Sequence, residues 1–571
     1  MSERKMFLAG MALLLLPSIA AAQPSPPPPS PMDRDLIEVT VPQLQQLYAS
    51  RKYTVTQVTQ WYLDRIARYD GIYRAVETVM AKDALATAAR EDADRAGAHG
   101  PLWGVPMVVK ANTSIAGQAT TDGWEGFTLA GHELIAPRDA QVVANLKAAG
   151  AIIIGHTNMP DYANSDGSRS SSFGRTGNAY DVRFSPGGSS SGTVTSVSAN
   201  MAMLGTGTDT ANSIRMPAAT SAVVGVFPTR GLVSIAGIAP LDWMLDNTGP
   251  IARTVTDAAI ALSVMQGADP LDPVTATAPA DAQRGPYLPF LKPGSLKGKR
   301  FGVPVFMMKG TSTPFHGTPA NVPEWAAQKR IADRVLPLEE ATYIAFKKNL
   351  DELRAAGATI VLDDSILPDD FVTVVSRVGT YPYVREGMEH FLKDFGPAQY
   401  RSINDYMKAV GQPIGANVIG EGAGSSHMGG VTLYQRDLEN DPDAEANVTG
   451  PRRRAMAMYL ETMDRLKLDA YVYPPIQMPP PDETMPQNGE VSDGPHSDTG
   501  WVNMLGLPAV VVSGGFYPGG LPVGLEFSGR PWRDGDLLGL AYGFEQATHH
   551  RHPPVLVEQG LLRAQPRTAT P

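Results

Sequence analysis

Residues Ser185 to Arg215 read SPGGSSSGTVTSVSANMAMLGTGTDTANSIR. A flexible Gly/Ser linker would stay polar and structureless along its length. Here the Gly/Ser cluster passes into a compact small-residue run, Thr193 to Ala202, and then into the apolar pair Met203-Leu204. The segment therefore reads as part of a folded body that carries several serines.

A serine hydroxyl is a weak nucleophile until a neighbouring base takes its proton, and that base is most often histidine. None of the ten histidines lies inside this segment. Lysine can replace it only in the neutral form, and its reference pKa of about 10.4 must then be lowered by burial or by its neighbours. Lys110 has the right setting, because it ends the apolar run Val105-Pro106-Met107-Val108-Val109 and so emerges from a buried strand end.

Outward from these two stretches, the texture is short apolar strands alternating with helices. Val105 to Val109 and Ile152 to Ile154 read as strands, and Ala140 to Ala149 between them has helical spacing. Upstream, Thr54 caps a helix whose Val58, Trp61, Tyr62, Ile66 and Tyr69 share one face, and a second helix runs from about Lys82 to Arg95. Downstream, Phe301 to Phe306, Ala358 to Leu362, Ala470 to Tyr473 and Ala509 to Ser513 read as strands, with helices over Leu338 to Ala356 and Asp536 to His549. This alternation predicts an α/β protein, a sheet covered by helices on both faces. Residues 364–450 show less periodicity and a glycine cluster near Gly420 to Gly430, and are expected to form a variable cap or loop layer.

The bulk properties narrow the function. The chain of 571 residues is 43% hydrophobic and 19% charged, ordinary for a globular enzyme. Its formal charge of -10 and its lack of a long basic run exclude nucleic acid as an expected partner. With no cysteine, thiol catalysis, thiolate metal sites and disulfides are impossible. His549, His550 and His552 are clustered, but without an HExxH helix or suitably spaced carboxylates they predict no metal site, and no phosphate-cradling motif calls for a cofactor.

The first 22 residues read as a signal peptide, with Arg4 and Lys5 before the apolar stretch Met6 to Ala22 and an Ala-Ala-Ala ending at the expected cleavage point. Gly10 and Pro17 interrupt that stretch, which is shorter than the ~20 apolar residues of a spanning helix. Export to a periplasmic or secreted location is therefore expected, with no integral span left after cleavage. Pro24 to Pro31 reads as a proline-rich tether, and folding is expected to begin near Asp35.

Taken together, the chain resembles the amidase signature family of serine hydrolases. The resemblance rests on GVPMVVKAN at Gly104 to Asn112, GHTNMPDYA at Gly155 to Ala163, SPGGSSSG at Ser185 to Gly192, GTDTANSIRMPA at Gly207 to Ala218 and GPIARTVTDAA at Gly249 to Ala259. GLPAVVVSGGF at Gly506 to Phe516 and GLPVGLEFSGRP at Gly520 to Pro531 extend it over nearly all of Asp35 to Pro554. It implies an α/β/α sandwich around a large mixed β-sheet, with one amidase domain over 35–557, a linker over 23–34 and a tail over 558–571.

The resemblance also implies the chemistry. Ser213 would be the nucleophile, Ser189 the bridging serine that follows a cis peptide, and Lys110 the base. Backbone N–H groups at Thr210, Ala211, Asn212 and Ser213 would bind the oxyanion. Ser190, Asp209 and Arg215 would support the loop, and Tyr162, Ala163 and Asn164 would approach the acyl side of a small-molecule amide. Two departures stand out. Ala211 and Asn212 replace two glycines of the family, which predicts a retained but reshaped oxyanion hole, and Ala111 replaces an aspartate that would favour a charged Lys110.

Two other readings compete. Gly188-Ser189-Ser190-Ser191-Gly192 also fits G-x-S-x-G, which would make the chain an α/β-hydrolase-type esterase with Ser190 at the elbow and His496 as partner. Alternatively, the chain is a catalytically inactive exported binding protein that has kept the fold.

Overall fold

The computed structural model of the chain describes residues 30–95, 99–310, 337–411, 414–415, 436–484, 486–487, 490–491 and 494–554. The expected signal peptide, the glycine cluster of 420–430 and the tail after residue 554 lie outside the described residues.

One 11-stranded sheet organises the molecule. In chain order its strands are β1 Val76–Val79, β2 Val105–Lys110, β3 Ala151–Thr157, β4 Leu204–Asp209, β5 Val224–Phe227, β6 Asn247–Ala252, β7 Arg300–Gly302, β8 Thr359–Val361, β9 Ala470–Tyr473, β10 Ala509–Phe516 and β11 Pro522–Ser528. Across the sheet they run β1-β3-β2-β4-β6-β5-β10-β11-β9-β7-β8. β3, β2 and β4 are mutually parallel, as are β9, β7 and β8, while the strands between them pair antiparallel. The sheet is thus mixed, as the resemblance implied.

Strand side chains alternate between faces, so a sheet covered on both sides needs apolar residues at consecutive positions. β9 shows this directly: Ala470 and Val472 join the main core, whereas Tyr471 and Tyr473 join a second cluster with Trp501, Tyr459 and Phe371 on the other side. Helices Val55–Tyr73, Gln141–Ala148, Val255–Met265 and Asp534–Thr548 carry buried apolar stripes into the main core. The Thr54 cap and the Val58, Trp61, Tyr62, Ile66 and Tyr69 face occur as the sequence predicts. No helix among the described residues is long and apolar enough to cross a membrane.

Three expectations need correction. Ordered structure begins before Asp35: Ser30 caps the helix Pro31–Leu36 through a capping box, and Pro31 occupies the first turn, where its missing N–H costs nothing. The Phe301 to Phe306 run is a strand only as far as Gly302; after Pro304 the chain turns into the helix Val305–Lys309. Of the cap or loop layer expected over 364–450, the loop alternative falls, because the helices Asp369–Val375, Val384–Phe395 and Ile403–Val410 are packed elements. Val384, Met388, Phe391, Leu392 and Phe395 follow helical spacing and are all buried.

Candidate active site

β2 and β4 are parallel, with Met107 opposite Leu204 and Val108 opposite Gly205, so Lys110 at the end of β2 falls level with Gly207 and between Thr206 and Thr208, while β4 runs two residues further to Asp209. The carboxyl end of adjacent parallel strands is where α/β sheets open a crevice. Every residue of both strands is buried, which carries the Lys110 amine into a site shielded from water.

Lys110 Nζ lies 2.7 Å from Ser189 Oγ and 2.8 Å from Thr208 Oγ1. Asn112 Nδ2 donates to the same Thr208 hydroxyl at 3.0 Å. Burial drives the Lys110 amine down to about 7, against the pull of Asp122, Asp209 and Asp246. A lysine in this state is neutral in a substantial fraction of molecules at neutral pH, which a base requires.

Ser189 follows a cis Gly188-Ser189 peptide, as the resemblance implied. Gly188 has no room for a side chain, since a Cβ there would sit 2.0 Å from the Gly167 carbonyl oxygen. The small-residue run after it forms the helix Ser191–Ser198, buried throughout. It must be small because a Cβ on Gly192 would lie 2.3 Å from the Ala75 carbonyl oxygen.

Ser190 donates its hydroxyl to the Thr208 carbonyl at 3.2 Å and is fully buried. The elbow reading finds no support here, because Ser190 Oγ is bonded to backbone and no hydrogen bond joins it to His496 among the described residues.

Ser213 stands in the loop between β4 and the helix Arg215–Thr220. Its carbonyl accepts from Ser190 N–H at 3.2 Å, which sets the Ser213 backbone against the peptide that follows Ser189. Ser213 Oγ hydrogen-bonds none of the described residues, so of the two contacts expected from the sequence only that between Lys110 and Ser189 is made.

Arg215 and Asp209 brace this loop, as expected from the sequence. Arg215 Nε meets Asp209 Oδ2 at 3.1 Å, and Arg215 Nη2 donates to the Ala211 carbonyl at 2.5 Å. Asp209 Oδ2 also accepts from Ile214 N–H at 3.0 Å. Neither Ala211 nor Asn212 has a positive φ, so replacing the family's glycines introduces no backbone strain here. Ala211, Asn212 and Ser213 N–H donate to no acceptor among the described residues. Thr210 Oγ1 is anchored on Asp246.

Tyr162 and Ala163 have positive φ values of 55 and 58 in the short turn Asp161–Ala163, which Asn164 follows. Tyr162 packs its ring against Trp124 at 5.3 Å and accepts at its hydroxyl from Gly415 N–H at 3.0 Å. Ala163 lies with Met159 and Leu241 against Ala111, beside the lysine. Tyr162 belongs to a separate cluster with Phe127 and Tyr406.

Sequence reasoning missed four members of the site. Thr208 shares the Lys110-facing side of β4 with Thr206, whose hydroxyl accepts from Lys110 N–H at 3.4 Å; the Gly-Thr-Gly-Thr alternation was the available signal. Asn503 Nδ2 donates to the Asp209 carbonyl at 2.9 Å, and Glu526 accepts from Arg215 at 2.8 Å. Asp122, fully buried, has no donor for either carboxylate oxygen among the described residues. Its N–H donates to the Ala111 carbonyl at 3.2 Å.

A family model described as "Amidase" matches residues 57–321. A glutamyl-tRNA(Gln) amidotransferase subunit from Moorella thermoacetica is 32% identical over 535 residues, spanning 91% of this chain and 99% of its own length. The chain belongs to the amidase family. Among solved structures, a peptide amidase in complex with the competitive inhibitor chymostatin shares 30% identity and a TM-score of 0.71, covering 90% of this chain and 99% of its own. The native peptide amidase from Stenotrophomonas maltophilia gives 29% identity and a TM-score of 0.70 over 90% of this chain and 98% of its own. As an amidase-family enzyme the chain is a hydrolase of amide bonds, and its sheet is the amidase fold that the motifs implied.

Proposed function

We propose that this amidase is exported and hydrolyses carbon–nitrogen bonds of small amides, peptide amides, anilides or carbamates through an acyl-enzyme on Ser213. The observation that carries the mechanism is the 2.7 Å contact between a buried, weakly basic Lys110 and Ser189, with Ser213 held against the next peptide.

Ser213 Oγ attacks the carbonyl carbon while its proton passes to Ser189 Oγ, whose own proton moves to neutral Lys110 Nζ. The carbonyl π pair becomes an oxyanion, met by the backbone N–H groups of Thr210, Ala211, Asn212 and Ser213. On collapse the C–N bond breaks and the proton returns through Ser189 to the leaving nitrogen. Water then repeats the sequence on the acyl-serine. Esters pass through the same intermediate and are expected substrates.

Peptide amides head the substrate classes because the peptide amidases match over nearly their whole length at about 30% identity. Export rests on the Arg4-Lys5, apolar, Ala-Ala-Ala pattern of the first 22 residues. The similarity to amidotransferase subunits favours a second reading, in which the chain releases ammonia for a partner. A screen of purified protein against alkyl amides, peptide amides, anilides, carbamates, esters and free glutamine, with Ser213→Ala as blank, separates the two. Turnover of peptide amides or anilides by the chain alone supports the first reading; activity confined to glutamine sinks it. Fractionation of cells expressing the full chain tests export, which cytoplasmic retention with an intact N-terminus would refute.

A further inference from the structure

The loop that carries Ser213 has its carbonyls tied down. Asp209 O accepts from Asn503, Ala211 O from Arg215, Asn212 O from Met216 N–H and Ser213 O from Ser190 N–H. With the carbonyls held, the backbone N–H groups of Ala211, Asn212 and Ser213 are left without protein acceptors among the described residues.

The Asn212 side chain shares this condition. The residue is 5% exposed, its Oδ1 is buried without a donor, and its Nδ2 donates to no described residue. Oδ1 is the fully enclosed end, which leaves Nδ2 as the end that reaches accessible surface, one residue before the nucleophile. A buried carboxamide unpaired at both ends is costly unless something else completes it.

We propose that Asn212 is a catalytic residue whose Nδ2 donates to the oxyanion, adding a side-chain donor to the backbone N–H groups of the loop. The inference rests on Ser213 being the nucleophile. As the Ser213 Oγ–carbon bond forms and the carbonyl pair moves onto oxygen, Nδ2–H points at the new charge. When that pair returns and the C–N bond breaks, the hydrogen bond weakens again. No proton leaves Asn212 at any stage. Donors aimed at developing charge act on kcat and leave ground-state binding little changed.

The test uses the full chain and the variants Asn212→Ala, Asn212→Asp and Asn212→Gly, with kcat and KM on an acyl 4-nitroanilide and the affinity for a phenylboronic acid that forms a tetrahedral adduct on serine. Asn212→Ala is expected to lower kcat by about 10²- to 10³-fold with KM within about 3-fold, and to weaken the boronic acid in proportion. Asn212→Asp should fall further, since a carboxylate would face the oxyanion. A kcat within about 3-fold of the parent in Asn212→Ala, or an Asn212→Asp as active as the parent, overturns the proposal. Asn212→Gly keeps the test available if the other two fail to fold, with the same loss expected. The rate at which a fluorophosphonate modifies Ser213 gives a second readout that needs no amide turnover. A slowed rate in the variants supports the assignment even where the proposed substrate class fails, and an unchanged rate refutes it.

Discussion

Arg215 Nη1 meets Glu526 Oε1 at 2.8 Å across 311 residues of sequence, joining the loop of the proposed nucleophile to β11. Both side chains are fully buried, and Arg215 also holds Asp209. Removing one partner of a buried ion pair strands the others in a medium that cannot solvate them. Arg215→Met is expected to destabilise the chain by about 3–5 kcal/mol and to abolish turnover, because the Ala211 carbonyl loses its donor at the same time. Denaturant unfolding reads the first effect; a loss below about 1 kcal/mol would show that the clamp contributes little.

Asp122 gives a stability prediction with a definite sign. Burial pushes its carboxyl well above the usual carboxylate range, although Lys110 draws it back. A carboxyl with a higher pKa folded than unfolded binds its proton more tightly in the native state, so its contribution to stability falls as pH rises above about 4. Asp122→Asn, which keeps the shape and cannot ionise, should gain melting temperature relative to the parent, and gain more at pH 8 than at pH 5. An equal difference at both values would contradict the buried, proton-holding carboxyl.

The pH–rate profile follows from Lys110. With the amine near 7, kcat/KM should fall below about pH 7 with the slope of a single proton, because the free enzyme must present an uncharged base. Ala111→Asp, placing a carboxylate beside the lysine, should favour the ammonium and move this limb to higher pH. A profile flat from pH 5.5 to 8, or a limb unmoved in the variant, would remove Lys110 from the rate equation.

Ser189 and Ser190 are adjacent but should respond differently. Ser189→Ala removes the hydroxyl that pairs with Lys110 Nζ at 2.7 Å, and kcat/KM is expected to fall by about 10²- to 10⁴-fold. Ser190→Ala loses a hydrogen bond to the Thr208 carbonyl, a change of about 1 kcal/mol in stability and less than about 10-fold in activity. The reverse order in steady-state assays would restore the elbow reading.

How much of this was legible follows from where each signal is stored. Lys110, Ser189 and Ser213 sit in local motifs whose composition is unusual, and the strands β2, β3, β9 and β10 announce themselves as short apolar runs. Glu526 and Asn503 escape because their role exists only once distant strands and helices meet at Asp209 and Arg215. Asp122 escapes because a loop aspartate is ordinarily solvated, and only the closure of Tyr162 N–H onto its carbonyl at 2.7 Å shows that it is enclosed. The helix Val384–Phe395 was readable from its apolar spacing, but the glycine cluster downstream gave the whole stretch the texture of a loop.

The most direct measurement is the site and rate of fluorophosphonate modification, mapped by peptide mass spectrometry on the full chain and on Lys110→Ala. A single adduct on Ser213 is expected, forming more slowly below pH 7 and suppressed by about 10²-fold or more in the variant. An adduct on Ser190, or on Ser213 at a rate indifferent to Lys110, would contradict it.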